Sequence, residues 1–314
     1  MKRLSISIFI LLIPVMIAFF LLDLSFEKQY SNSYKLKREN LEKSSSDMEV
    51  LVLGDSWGWN GIDPRYFQKK GFNLANPSQD LYVDQQLLDR YIDNLPALKI
   101  VLQSLSYRSL QYDIMQGRNY RVCLTIREFY ILPKNPLELL RFDMCSLLTK
   151  ESKDPFTNVF YWKKNLINYD YPSIVQENGW AKCELTLKPV LIDAQKRVTS
   201  HESQMIPALM PVNIQRLESM NRKLKERGIK MVLISLPVSK YYADSMKPGK
   251  FNEIYGEIKR LSQRKDIAYF DYLRDPRFSD EDFYNYDHMN YRGAEKISRI
   301  INQEIISTLV GHKN

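Results

Sequence analysis

Short apolar runs recur along the chain between stretches of helical patterning. EVLVLG (49–54), FNLAN (72–76), LKIVLQSLS (98–106), IKMVLISLP (229–237) and IAYFDY (267–272) each have the length of one strand. Runs without alternation belong to strands buried on both faces, as in a parallel sheet covered by helices. Between the second and third runs, QDLYVDQQLLDRYIDNL carries Leu81, Leu88 and Tyr91 at helical spacing. NIQRLESMNRKLKERGIK repeats the pattern before the fourth run, with Gly228 as its stop signal. The pattern predicts an α/β fold, three-layer α/β/α with a parallel central sheet.

The rhythm fails in two places. Behind Met1-Lys2-Arg3 stands LSISIFILLIPVMIAFFLL (4–22), uncharged throughout, and then Asp23, Glu27 and Lys28. That length spans a bilayer. A cleaved signal sequence has a shorter apolar region ending in a small-residue site, which is missing here, so residues 1–23 read as a transmembrane anchor, with a signal sequence as the alternative. Lys2 and Arg3 then stay in the cytoplasm and the rest of the chain lies outside. Residues 24–47 are polar and charged and read as a linker or membrane-proximal helix, leaving 48–314 as the α/β domain. The second break is 107–205, aromatic-rich and carrying Pro133, Pro136, Pro155, Pro172 and Pro189. It is too long for a simple crossover and reads as an insertion or lid covering a site, or as a purely structural excursion.

Composition narrows the classes. With 314 residues, 44% of them hydrophobic, the chain buries one substantial core. Its net charge of +8 comes from 45 Lys and Arg spread among 37 Asp and Glu, with no arginine-rich tract or RNP-like motif. Nucleic acid is not an expected partner; anionic glycans or lipid headgroups suit a mildly basic surface. Cys123, Cys145 and Cys183 lack C-x-x-C spacing, which argues against zinc. Nothing resembles a phosphate-cradling glycine loop, and no metal or cofactor is expected.

Candidate chemistry begins in LVLGDSWGWNG (51–61), where the first apolar run stops at Gly54-Asp55-Ser56. Ligands of open α/β sheets sit at the carboxyl ends of strands, which is where Ser56 falls. A serine nucleophile needs a base. His312 is in the polar tail and His201 in the insertion, whereas His288 lies in DFYNYDHMNYRGAEKIS (282–298) with Asp287 beside it. His288 is therefore the candidate base. Trp57 and Trp59 are expected to pack rather than to bind sugar.

In kind and order, Gly54-Asp55-Ser56 and Asp287-His288-Met289-Asn290-Tyr291-Arg292-Gly293-Ala294 resemble the first and last blocks of the SGNH/GDSL hydrolase superfamily. The resemblance covers 48–106 and 212–308. It implies a flavodoxin-like sheet, Ser56 as nucleophile and His288 as base. Two departures stand out. The position three residues before the histidine, an aspartate in the family, is Asn285 here, so Asp287 takes the orienting role and Asn285 is its rival. The family's third-block Gly-x-Asn-Asp is missing from 98–110. FNLANPSQD (72–80) offers Asn76 as the replacement oxyanion donor or as a loop cap, with Gln79 and Asp55 as further oxyanion or substrate-binding candidates.

The resemblance implies a serine esterase or O-acyltransferase at a bacterial cell membrane. Its main domain would be periplasmic or extracellular, its substrate an acylated cell-surface or exported polysaccharide, and one partner a membrane-bound acyl donor protein. Asn285 and the missing block leave a catalytically inactive SGNH-like glycan-binding module, or an envelope assembly protein, as the alternatives.

Overall fold

All five apolar runs become strands of one sheet in the computed structural model, which describes residues 33–114, 173–188, 190–265 and 267–310, with Pro14, Ile126 and Tyr130 as single residues. In chain order the strands are β1 (Val50–Leu53), β2 (Gly71–Asn73), β3 (Ile100–Ser104), β4 (Ser173–Val175), β5 (Ala181–Cys183), β6 (Lys230–Ser235) and β7 (Ala268–Asp271). The sheet runs β2-β1-β3-β6-β7, and every neighbouring pair is parallel. β4 and β5 form a separate antiparallel hairpin. Every residue of β1 and β3 is buried, so cover lies on both faces of the sheet.

The helices are α1 (Ser33–Lys43), α2 (Ser56–Gly61), α3 (Leu81–Tyr91), α4 (Leu191–Glu202), α5 (Met210–Lys225), α6 (Lys240–Ser245), α7 (Pro248–Lys265) and α8 (Tyr291–Ile301). α3 starts on Asp80, whose carboxylate accepts the Val83 N–H at 2.9 Å, and it buries the predicted Leu81, Leu88 and Tyr91. α3 packs on α5, and α2 packs on α8. Gly228, at φ +70°, takes the left-handed turn that ends the α5 segment.

The described half of the expected linker is folded onto the domain. α1 buries Tyr34, Lys37 and Leu41, one helical stripe, and Lys37 Nζ donates to the Ala75 carbonyl. Two apolar residues among charges gave that stripe little contrast in the sequence. The predicted span 4–22 lies outside the described residues except for Pro14. Among the described residues, no helix is long and apolar enough to cross a membrane. Most of 107–205 is also outside, together with Cys123, Cys145 and His312; Cys183 is a buried free thiol. The described parts of that insertion include the β4–β5 hairpin and α4. The hairpin docks beside β2 through Asn73 N–H to the Asn178 carbonyl at 2.8 Å.

Candidate active site

Ser56 owes its position to a sharp turn. Gly54 leaves β1 at φ +129°, a conformation closed to most side chains, and donates its N–H to Asp84 Oδ1 at 3.0 Å. Asp55 caps α2 by accepting the Trp57 N–H at 3.0 Å. Ser56 then opens the helix, and its own N–H has no partner among the described residues.

His288 arrives from the turn before α8. Asn290 caps that helix, accepting the Arg292 and Gly293 N–H groups. Gly293 lets the helix approach the Asp282 carbonyl, which an added Cβ would meet at 2.2 Å. The imidazole Nε2 lies 2.7 Å from Ser56 Oγ across 232 residues of sequence. Its Nδ1 lies 3.0 Å from Asn285 Oδ1. A side-chain carbonyl only accepts, so this contact puts the ring proton on Nδ1 and leaves Nε2 free to take the serine proton. Tyr284 stacks on the ring at 5.4 Å and 19°, fixing its plane.

The contacts of Asn285 and Asp287 reverse the expected assignment. Asn285 Oδ1 also accepts the backbone N–H groups of Asp287 and His288, at 3.1 and 2.9 Å, which bends the turn and aims the oxygen at the ring. Asp287 is the more distant of the two. Its carboxylate is 3.4 Å from His288 Nδ1 and is held by Arg197 from α4, at 2.8 and 3.2 Å, and by Trp57 Nε1 at 3.2 Å. Burial alone would raise the Asp287 carboxyl; the Arg197 guanidinium and the adjacent His288 outweigh it and hold the group well below the usual carboxylate range. His201 lies behind, its Nδ1 2.6 Å from the Tyr242 hydroxyl and its Nε2 3.7 Å from Asp287, and burial holds its imidazole well below its ordinary pKa. We expect Asn285→Ala to lower kcat on a p-nitrophenyl ester by about 100-fold through loss of the ring contact. Asp287→Asn, which takes a buried carboxylate from the half-exposed Arg197, should cost about 1.5 kcal/mol of stability and less in kcat. Steady-state rates and denaturation midpoints measure both; the reverse ranking would return the orienting role to Asp287.

Three further candidates are corrected. The Asn76 amide spends both N–H groups, on the Leu74 carbonyl at 2.9 Å and on Gln79 Oε1 at 2.6 Å, so none is left for an oxyanion. Gln79 donates to Asp84 Oδ1 at 2.6 Å and braces the same loop. Asp55 only accepts, from Trp57 N–H and from the Ser106 hydroxyl, and burial raises its carboxyl against the opposing charge of Arg108. Trp57 and Trp59 are buried, as packing required. Arg197, Tyr284, Asp84 and Arg108 were not anticipated. Arg197 comes from the insertion, where no motif marked it, whereas the aromatic Tyr284 stood four residues before the histidine.

Asp84 underpins the nucleophile turn, accepting from Gly54 N–H, Gln79 and Gln103. Burial pushes its carboxyl up to about 7 against those donors. An unfolded aspartate titrates near ~3.9, so between that value and about 7 the folded state keeps a proton the unfolded chain has released. This contribution is full below the window and is lost as pH rises through it. The melting temperature should therefore fall between about pH 4 and pH 7, and the fall should shrink in Asp84→Asn. An identical pH profile in the variant would contradict the assignment.

A family model matches residues 186–310. No curated protein matches the sequence. Among solved structures, a GDSL-like lipase from Bacteroides thetaiotaomicron is 12% identical, covering 88% of this chain and 100% of its own, with a TM-score of 0.40. A carbohydrate acetylesterase family member from Sinorhizobium meliloti is 11% identical, over 84% and 100%, at 0.38. An acetyl xylan esterase is 12% identical over the same shares, at 0.38. Likeness of this degree leaves the chemistry to be argued from the site.

Proposed function

We propose that the chain is an SGNH-type serine esterase or O-acyltransferase. The observation that carries this reading is one alignment: Ser56 Oγ at 2.7 Å from His288 Nε2, with His288 Nδ1 at 3.0 Å from Asn285 Oδ1. His288 takes the Ser56 proton as Oγ bonds to the acyl carbon, and the developing oxyanion meets the unpartnered Ser56 N–H. His288 then gives the proton to the leaving alkoxide, whose C–O bond breaks. Water or a sugar hydroxyl, deprotonated by the same imidazole, attacks the acyl-enzyme and frees Ser56. Arg197 neutralises Asp287, and Asn285 sets the tautomer.

The substrate class we propose is an acylated cell-surface or exported polysaccharide outside the cytoplasm, with a membrane-bound acyl donor protein as partner if transfer prevails. The uncharged 4–22 segment behind Lys2 and Arg3 supports that location. The test is release of acetate from an acetylated polysaccharide by the purified chain, read with and without a sugar acceptor. Acetate in the supernatant supports hydrolysis, ester on the acceptor supports transfer, and neither contradicts both.

One observation favours a second reading, a catalytically inactive binding module. Asn76 is spent, and the Ser106 hydroxyl in the loop after β3 goes to Asp55, so Ser56 N–H is the single oxyanion donor assigned among the described residues. Each missing donor costs about 3 to 4 kcal/mol of transition-state stabilisation.

A further inference from the structure

Arg108 is a buried cation that this reaction scheme leaves unused. It lies in the loop that leaves β3 at the sheet edge carrying Ser56, and it is 7% exposed. Its guanidinium stacks 4.0 Å above the Tyr112 ring, and Nη1 donates to Gln204 Oε1 at 2.5 Å. Among the described residues Nε and Nη2 have no acceptor, and neither is sealed from solvent. The carboxylates nearby are engaged elsewhere. Asp55 accepts from Trp57 and Ser106, Asp287 is paired with Arg197, and Glu202 accepts from Tyr107 and pairs with Lys247.

Buried guanidinium groups are ordinarily paired, because an ion removed from water without a partner is costly. The planar Nε/Nη2 edge matches two oxygens of one anion. The loop is also tied to the nucleophile turn, since the Ser106 hydroxyl bonds the residue preceding Ser56. The positive charge of Arg108 acts on Asp55, His201 and Tyr242, all part of or behind the site.

We propose that Arg108 is a substrate-recognition residue that holds a carboxylate or phosphate of the substrate through its Nε/Nη2 edge, so that the acylated polymer is an acidic one. This rests on the ester reading of Ser56 and His288, and its test keeps the two apart. The full chain, Arg108→Met and Arg108→Lys are assayed on acetylated polygalacturonate, an acetylated glycerol-phosphate polymer and neutral p-nitrophenyl acetate. In Arg108→Met, the ratio of kcat/KM on the preferred charged polymer to that on the neutral ester should fall about 30-fold, mainly through KM, with partial recovery in Arg108→Lys. Whichever charged polymer is preferred identifies the source of the anion. An unchanged ratio overturns the proposal, because equal losses would make Arg108 a support of the reacting centre. Binding is read separately in Ser56→Ala, by calorimetry with trigalacturonate, glycerol phosphate and neutral xylotriose. Preference for a charged ligand that disappears with Arg108→Met supports the proposal even if no ester is turned over; absent or Arg108-independent binding overturns it.

Discussion

Ser56→Ala is expected to remove ester turnover, with kcat lowered by about 10⁴-fold or more. Among the described residues, Ser56 Oγ is the hydroxyl that meets His288 Nε2, at 2.7 Å, and it is the group removed. His288→Ala should cost a similar factor, because without Nε2 the hydroxyl keeps its proton at neutral pH. The double variant should be little worse than either single one. Residues that act as one unit give non-additive losses, whereas two independent contributions would multiply. Initial rates on a short-chain ester, with folding checked by circular dichroism, decide the matter. A double loss equal to the product of the single losses would contradict a shared proton transfer.

A large effect on both fold and site should come from Gly54→Ala. An added Cβ would lie 2.7 Å from the Ser104 carbonyl oxygen and 2.8 Å from its Cβ, both in the neighbouring central strand. Neither is the free end of a flexible side chain, so relief requires β1 and β3 to separate or the turn to rotate. At φ +129° the substitution is also strained in the backbone. Together these should cost about 3 to 5 kcal/mol, read as a shift in denaturant midpoint without a change in slope. Activity should fall as well, because the same turn sets Ser56 and its N–H. A midpoint within about 0.5 kcal/mol of the parent would show that the turn is not held as described.

The sheet was legible because β1 and β3 are buried along their whole length, leaving apolar runs without alternation. The Ser56–His288 contact was legible through chain order and the scarcity of histidine. What escaped depends on how loops close. Asn76 looked like a free donor in sequence, yet its amide is spent once Asp84, on a separate helix, pulls Gln79 inward. Asp287 looked like the orienting carboxylate because it adjoins His288, but Arg197 and Trp57 hold its carboxylate 3.4 Å from Nδ1, while Asn285 Oδ1 comes to 3.0 Å. Arg197 comes from a segment outside the motif-bearing parts, so no local pattern announced it. Residues 24–47 read as a linker or a membrane-proximal helix, but the docking of α1 on the domain was not legible, since two apolar residues among charges barely mark a buried stripe.

The central claim is that Ser56 is a nucleophile activated by His288. Its most direct test is covalent labelling of the purified chain with a fluorophosphonate, followed by peptide mass analysis. One adduct on the peptide containing Ser56, absent in Ser56→Ala and strongly slowed in His288→Ala, is the predicted result. An unlabelled parent chain, or labelling that survives Ser56→Ala, would contradict it.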